Sequence, residues 1–288
     1  MTRVVDSHLH VWRLPTARGD SPYAWITPEM GVLYRDYQPE EAQAELAAAS
    51  VDAAVLVQAD DTLADTAMML QTCDRFGWAV GVVGWVPLDV PREAEAALDR
   101  WQQHPAFRGV RHLVHGDPRA DFLDLPPVRE SLGLLAEREL PLDVPDAYPR
   151  HLAQVAALVE ELPELTVVVD HLAKPPLDQG PGAAAFEEWE QLMRRIARAP
   201  RAVAKVSGLR IPGSHYDAAT LRPAVEVALE AFGPDRLMYG GDWPMTVPDG
   251  GYAPTLEVLQ EVLDGLSGDE SAAIWHRTAE RVYQLPGA

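Results

Sequence analysis

Arg3-Val4-Val5-Asp6-Ser7-His8-Leu9-His10 is a short β-branched run that ends in polar groups. Paired valines favour a strand, and alternation along a strand turns His8 and His10 to one side, with Asp6 on the same face. Seven more such runs follow: Ala53–Gln58, Trp78–Val86, Phe107–Val114, Leu140–Tyr148, Thr166–Leu172, Ala202–Leu209 and Arg236–Trp243. Between them lie amphipathic segments such as Pro39–Ser50, Pro91–Gln103, Arg150–Leu162, Phe186–Ala199, Leu221–Phe232 and Thr255–Leu266, several with proline near the first helical position. Strand and helix alternate from end to end, the order of repeated βα units on a parallel sheet. Eight such units close into a barrel of about 250 residues, whereas an open doubly wound sheet more often has about five to seven strands. The reading is an α/β protein, a (β/α)8 TIM barrel.

The chain has 288 residues, 47% of them hydrophobic, enough to fill one large core, and no Gly-, Pro- or Ser-rich linker divides it. One domain over residues 1–288 is expected. With 24 Lys and Arg against 44 Asp and Glu, the formal charge is −20, which repels phosphate backbones and anionic membrane surfaces. Nucleic acid and membranes are therefore not expected as partners, and the charge is read as a solvated face. Cys73 is the only cysteine, so no intrachain disulfide forms, and its neighbours Met68, Met69, Leu70 and Phe76 mark it as an inert buried thiol. The amino terminus lacks the apolar stretch of a signal peptide, and no run approaches the ~18 apolar residues of a membrane span, so the cytoplasm is the expected compartment.

Barrel enzymes carry their working groups at the carboxyl ends of the strands. Here those ends present His8 and His10, Gln58, Arg111 and His112, Asp143 and Asp146, Asp170 and His171, Lys205 and Ser207, and Asp242. Two imidazoles on one strand face either grip a cation or a substrate oxygen together, or are structural rings held by hydrogen bonds. Asp242 follows Gly240-Gly241, and Pro244 and Pro248 delay the next helix, which favours a carboxylate at the barrel mouth over a helix cap. His171 ends an apolar strand and points to the mouth, with Asp170 on the opposite face. Lys174 is either a partner for an acidic substrate group or a solvated loop residue. Loops Arg13–Gln38, His115–Leu125 and Pro175–Ala185 fall on the catalytic face. Tyr23 and Trp25 in the first loop, with Trp85, Arg210 and His215, are candidate pocket-lining residues that either stack on a substrate ring or pack over the barrel end.

Six motifs recur in register with the strands: Val5-Asp6-Ser7-His8-Leu9-His10-Val11-Trp12, Gly84-Trp85-Val86, Gly109-Val110-Arg111-His112, Asp170-His171-Leu172-Ala173-Lys174-Pro175, Lys205-Val206-Ser207-Gly208-Leu209 and Gly240-Gly241-Asp242-Trp243-Pro244. Together they resemble the amidohydrolase-related (amidohydrolase 2) branch of the amidohydrolase superfamily, and within it the lactonase group. The resemblance implies an amidohydrolase-like barrel that hydrolyses a cyclic ester of a sugar acid or a dicarboxylic acid, with His8, His10, His171 and Asp242 at the superfamily's catalytic positions. Binuclear members add a bridging Lys or Glu on strand four and a His on strand five. This chain offers Arg111 and Asp143 or Asp146 there, which disfavours a two-metal site. Two possibilities stay open: one divalent cation (Zn, Mn or Mg) on His8, His10 and Asp242, with or without His171, or no metal. The family more often has Gly at the position of Ala173 and Ser at that of Gly241.

For ester hydrolysis, Asp242 is the expected general base, returning its proton to the ring oxygen, while His8, His10 and His171 polarise the carbonyl directly or through a cation. Arg111 would orient an anionic or polyhydroxylated substrate, with His112, Trp85, Lys174, Tyr23, Trp25, Arg210 and His215 around it. The expected partner is a small-molecule lactone, and a homodimer is the expected assembly. Metal-dependent decarboxylation of an aromatic or unsaturated acid is the alternative activity, and a catalytically dead binding protein is the third.

Overall fold

The computed structural model describes residues 3–14, 23–211 and 216–286. The strands β1 (Val5–Leu9), β2 (Ala53–Val57), β3 (Ala79–Gly84), β4 (Phe107–Arg111), β5 (Leu142–Val144), β6 (Val167–Val169), β7 (Ala202–Val206) and β8 (Leu237–Tyr239) pair in chain order, each parallel to the next. The first and last strands meet just beyond their ends: the amide of Asp242 donates to the carbonyl of His8 at 2.7 Å, and that of His10 to the carbonyl of Trp243 at 2.7 Å. The TIM barrel expected from the sequence is therefore present, and the seam that closes it runs through the candidate site.

Helices α1 (Pro39–Ala48), α2 (Leu63–Arg75), α3 (Pro91–Trp101), α4 (Pro126–Glu137), α5 (Leu152–Glu161), α6 (Ala184–Ile196), α7 (Ala218–Phe232) and α8 (Tyr252–Val262) form the outer ring. Proline opens α1, α3 and α4, where its missing N–H costs nothing and its fixed φ suits the first turn. Most strands are buried along their full length because helices cover one face and the barrel interior the other.

Inside the barrel, Val5, Val55, Val57, Val83, Val168, Val203 and Met238 pack against Ala279, Tyr283 and Leu285. These last three belong to or follow the helical segments α9 (Gly268–Ala272) and α10 (Thr278–Val282), so the carboxyl-terminal stretch plugs the end of the barrel opposite the site. Cys73 is half-buried in α2, and burial, with Asp74 adding to it, pushes its thiol up to about 12, which leaves it inert.

Asp6 departs from the expected pattern. The β1–β2 register shifts between Asp6 and Leu9, and this irregularity reverses the alternation. Asp6 faces outward to the seam, where it accepts hydrogen bonds from the amides of His8 and Gly241 at 2.8 Å each and from the Tyr252 hydroxyl at 2.7 Å. It does not share the face of His8 and His10.

Candidate active site

Left-handed residues turn the site inward. Asp146, His171 and Asp242 have φ of 46°, 55° and 52°, and the run His171–Lys174 is left-handed throughout. A residue with a Cβ pays about 1–2 kcal/mol for that conformation, and strain of this kind collects where function over-determines the backbone. It also corrects the expectation for Asp170. The chain turns at His171 instead of continuing as a strand, so both residues reach the interior: Asp170 lies 3.0 Å from Lys205 Nζ, 3.2 Å from Arg111 Nη1 and 3.5 Å from His8 Nδ1.

The core of the site is compact and buried. His8 is fully buried and its Nε2 lies 3.1 Å from His10 Nε2, while His10 Nδ1 donates to the Val57 carbonyl at 2.7 Å. Because that carbonyl only accepts, Nε2 of His10 is left to face His8 and Asp242 Oδ1, which lies 3.5 Å away. The His171 ring sits 4.4 Å from that of His8, and its Nδ1 is 2.9 Å from Ser207 Oγ. Burial holds His8 and His171 well below the usual imidazole range, helped at His8 by Lys205, His10 and Arg111, so both rings are neutral. Burial opposes ionisation of Asp242, but the nearby His171, His10 and Lys174 outweigh it and bring the carboxyl to about 2.

Beneath these groups lies a buried ionic cluster that the sequence did not organise in advance. Lys205 Nζ donates to Asp143 Oδ2 at 2.6 Å and lies 3.2 Å from His8 Nδ1, and Tyr283 from the carboxyl-terminal stretch donates to the same Asp143 oxygen at 2.7 Å. Asp170 Oδ1, 3.0 Å away, adds a second carboxylate beside the ammonium.

A cavity of about 250 Å³ opens above, lined by His10, Trp25, Arg111, His171, Lys174 and Asp242, and by Ala59, Leu113, His115, Gly116, Pro145, Asp146 and Met245. Of the residues expected to line it, Arg111 is present but engaged: its guanidinium bonds Asp170 and the Gln58 carbonyl, so it braces the wall more than it offers a free fork. Trp85 and His112 lie outside the cavity. The Trp85 indole donates to His112 Nδ1 at 3.1 Å, and His112 stacks on Phe122 at 4.0 Å. Tyr23 is buried beside the cavity on Asp65, and Arg210 pairs with Asp249 at 2.7 Å. His215 lies outside the described residues. Asp146, read in the sequence as a polar group at the end of the fifth strand, lines the cavity through its left-handed turn, while His115 and Met245 come from loops whose path sequence periodicity does not fix.

The donor types suit a divalent cation, and one nitrogen of His8, one of His171 and an oxygen of Asp242 lie within 4.8 Å of one another. The surroundings do not suit one. Both ring nitrogens of His8 face cationic donors, Lys205 Nζ at Nδ1 and Arg111 Nη1 at Nε2, each at 3.2 Å. With Lys205 Nζ at Nδ1, the neutral ring carries its proton on Nε2 beside the guanidinium, so a cation there would have to displace both that proton and Arg111, and His8 does not fit as a ligand.

A family profile described as amidohydrolase matches residues 5–285. An L-fucono-1,5-lactonase of Burkholderia multivorans is 33% identical over 293 residues, covering 98% of this chain and 96% of that protein. An L-fucono-1,5-lactonase of Burkholderia ambifaria is 32% identical over 247 residues, covering 85% and 82%. The crystal structure of an amidohydrolase from Burkholderia multivorans with bound HEPES superposes with a TM-score of 0.88 at 31% identity, over 99% of this chain and 100% of that one. The cavity, its four inward-facing residues and these matches agree: the chain belongs to the amidohydrolase family.

Proposed function

We infer that this protein hydrolyses the lactone of a sugar acid. The observation that carries the reaction type is Asp242, ionised at the mouth of the cavity and surrounded by the imidazoles of His8, His10 and His171. The choice of a lactone among hydrolysable bonds is supported by the two fuconolactonases that the chain resembles.

The reaction follows from the side chains. Asp242 takes a proton from water as the water oxygen attacks the ester carbon. A protonated Asp242 is a strong acid in this setting, so it gives the proton readily to the ring oxygen as the C–O bond breaks and the ring opens. His171 Nδ1 pairs with Ser207 Oγ at 2.9 Å, and in the tautomer where the hydroxyl donates, Nε2–H of the neutral ring stabilises the carbonyl oxygen as it gains charge. No step is routed through a metal, because His8, with Lys205 at Nδ1 and Arg111 beside its Nε2–H, offers a cation no free nitrogen. The same geometry disfavours the metal-dependent decarboxylase reading.

A sugar acid suits the walls better than a dicarboxylate. Asp146 brings a carboxylate to the cavity, and its buried Oδ1 has no partner among the described residues. That oxygen accepts from a hydroxyl and repels a second carboxylate. Both nearby cations are engaged, Arg111 by Asp170 and Lys174 by the Gly208 carbonyl. The working enzyme is read as one barrel, cytoplasmic and homodimeric. Among the described residues no helix is long and apolar enough to cross a membrane, and fractionation and light scattering check the compartment and the assembly.

A pH-indicator assay against sugar aldonolactones, muconolactones and pyrone carboxylates tests the reading. Sugar aldonolactones are expected to turn over, and Asp242→Asn to lower kcat by at least about a hundredfold while the protein stays folded. Near-normal turnover in that variant would remove Asp242 as the base.

A further inference from the structure

Tyr23 is a tyrosine with φ of 62°, a backbone state that bulky residues rarely adopt, yet it is only 6% exposed. Two carboxylates hold it there. Its hydroxyl donates to Asp65 Oδ1 and its backbone amide to the Asp60 side chain. Asp65 is itself fixed on the first turn of α2: its other oxygen accepts from the Ala59 amide at 2.9 Å, the Asp60 amide also donates to it, and its own amide is capped by Thr62. Two residues on, the Trp25 indole donates to the Ala59 carbonyl at 2.7 Å. The Ala59 peptide thus sits between the clamp and the indole, and both Ala59 and Trp25 line the catalytic cavity. Trp25 is 39% exposed, among the few large apolar side chains left open, and it packs edge-on against the buried Trp12 at 5.9 Å.

An aromatic face held open at the mouth of a cavity is unfavourable unless something covers it during function. We propose that Trp25 is the substrate-stacking wall of the cavity, and that Asp65, through Tyr23 and Ala59, is the positioning residue that holds it there. The ligand chemistry it fits is the C–H face of a lactone ring, with the ring hydroxyls turned to Asp146, which also lines the cavity. This assignment rests on the lactonase reading for its substrate. The clamp itself is independent of that reading.

The test uses the full-length protein and four variants: Trp25→Ala, Asp65→Asn, Tyr23→Phe and the double variant Asp65→Asn/Trp25→Ala. Steady-state kinetics on the best sugar lactone should show KM raised about tenfold by Trp25→Ala and by Asp65→Asn, with kcat moving much less, and a smaller rise for Tyr23→Phe. The double variant should be no worse than Trp25→Ala alone, because Asp65 acts through the indole. Unchanged KM in folded Trp25→Ala overturns the stacking role, and a roughly hundredfold effect in the double variant overturns the coupling. Hydrogen exchange over residues 23–30 supplies a readout that needs neither turnover nor Asp65→Asn. Tyr23→Phe, which removes only one hydroxyl, should accelerate exchange there at least about tenfold, and no change would overturn the clamp. If the wild-type protein hydrolyses no lactone, the lactonase reading fails and exchange still decides the clamp.

Discussion

Gly208→Ala isolates what the geometry of the site is worth. Gly208 has φ of 53° and lies between two working groups. A Cβ there would come within 2.3 Å of His171 Nδ1 and 2.5 Å of Asp242 Oδ2, distances that real Cβ contacts do not reach. The imidazole, the carboxylate or the backbone must therefore retreat by roughly 0.7 Å or more. A displacement near 1 Å in a positioned catalytic group costs about a hundredfold in rate, so kcat/KM for lactone hydrolysis should fall by about that factor. Alanine in the left-handed region costs about 1–2 kcal/mol, and overpacking adds about 1–3. For a chain of this size, about 3 kcal/mol lowers Tm by about 5 °C. Thermal melts and steady-state kinetics on the same sample separate the two losses. A variant that keeps kcat within threefold of wild type, with an unshifted Tm, would refute the close approach of His171, Gly208 and Asp242 on which the proposed chemistry depends.

Asp242 has its carboxyl lowered to about 2 from 3.8, so its ionised form favours the folded state above about pH 4, and that contribution, about 2 kcal/mol, is lost as pH falls through 2. The stability gap between wild type and Asp242→Asn in urea titrations should therefore shrink between pH 4 and 2, and a gap constant over that range contradicts the assigned ionisation. Chelation followed by dialysis should leave turnover within about twofold of the untreated enzyme, since His8 offers a cation no free nitrogen; loss of activity restored by zinc, manganese or magnesium would reverse that reading. Gly241→Ser should destabilise by about 1–3 kcal/mol, because a Cβ there would lie 2.5 Å from Asp6 Oδ2 and 2.6 Å from the Tyr252 ring. An unchanged denaturation midpoint would show that the Asp6–Tyr252 contact yields without cost.

Sequence periodicity was enough to find eight strands and to place His8, His10, His171 and Asp242 at their ends, because buried parallel strands are apolar along their length and a polar group at the end of one stands out. What periodicity does not encode is where a strand stops obeying it. The register irregularity between Asp6 and Leu9 reverses which residues share a face, and the left-handed turn at His171 brings Asp170 inside. Neither leaves a mark such as glycine at the turning residue. Arg111 and His112 were correctly seen as strand-end polar groups, but whether such a group meets substrate or protein depends on partners from distant segments: Asp170 for the first, Phe122 and Trp85 for the second. Lys205 illustrates the same limit. Its place on β7 is plain in the sequence, while its ties to Asp143, and through it to Tyr283 in the carboxyl-terminal stretch, are set by the closed barrel.

That closure joins folding to chemistry in one contact. The two backbone hydrogen bonds that bring the beginning and end of the barrel together involve the carbonyl of His8, the amide of His10, the amide of Asp242 and the carbonyl of Trp243. Asp6 and Ser7 tighten the same seam from either side, through the Gly241 amide and the Tyr239 carbonyl. The residues that place the base against the imidazoles are thus the residues that shut the sheet, and neither arrangement forms without the other. A substitution that loosens the seam, such as Gly241→Ser, should then lower kcat more steeply than its stability loss alone accounts for at temperatures well below its Tm. Asp242 and His10 separate as soon as the seam opens, while the helices around the barrel still hold the rest of the chain together.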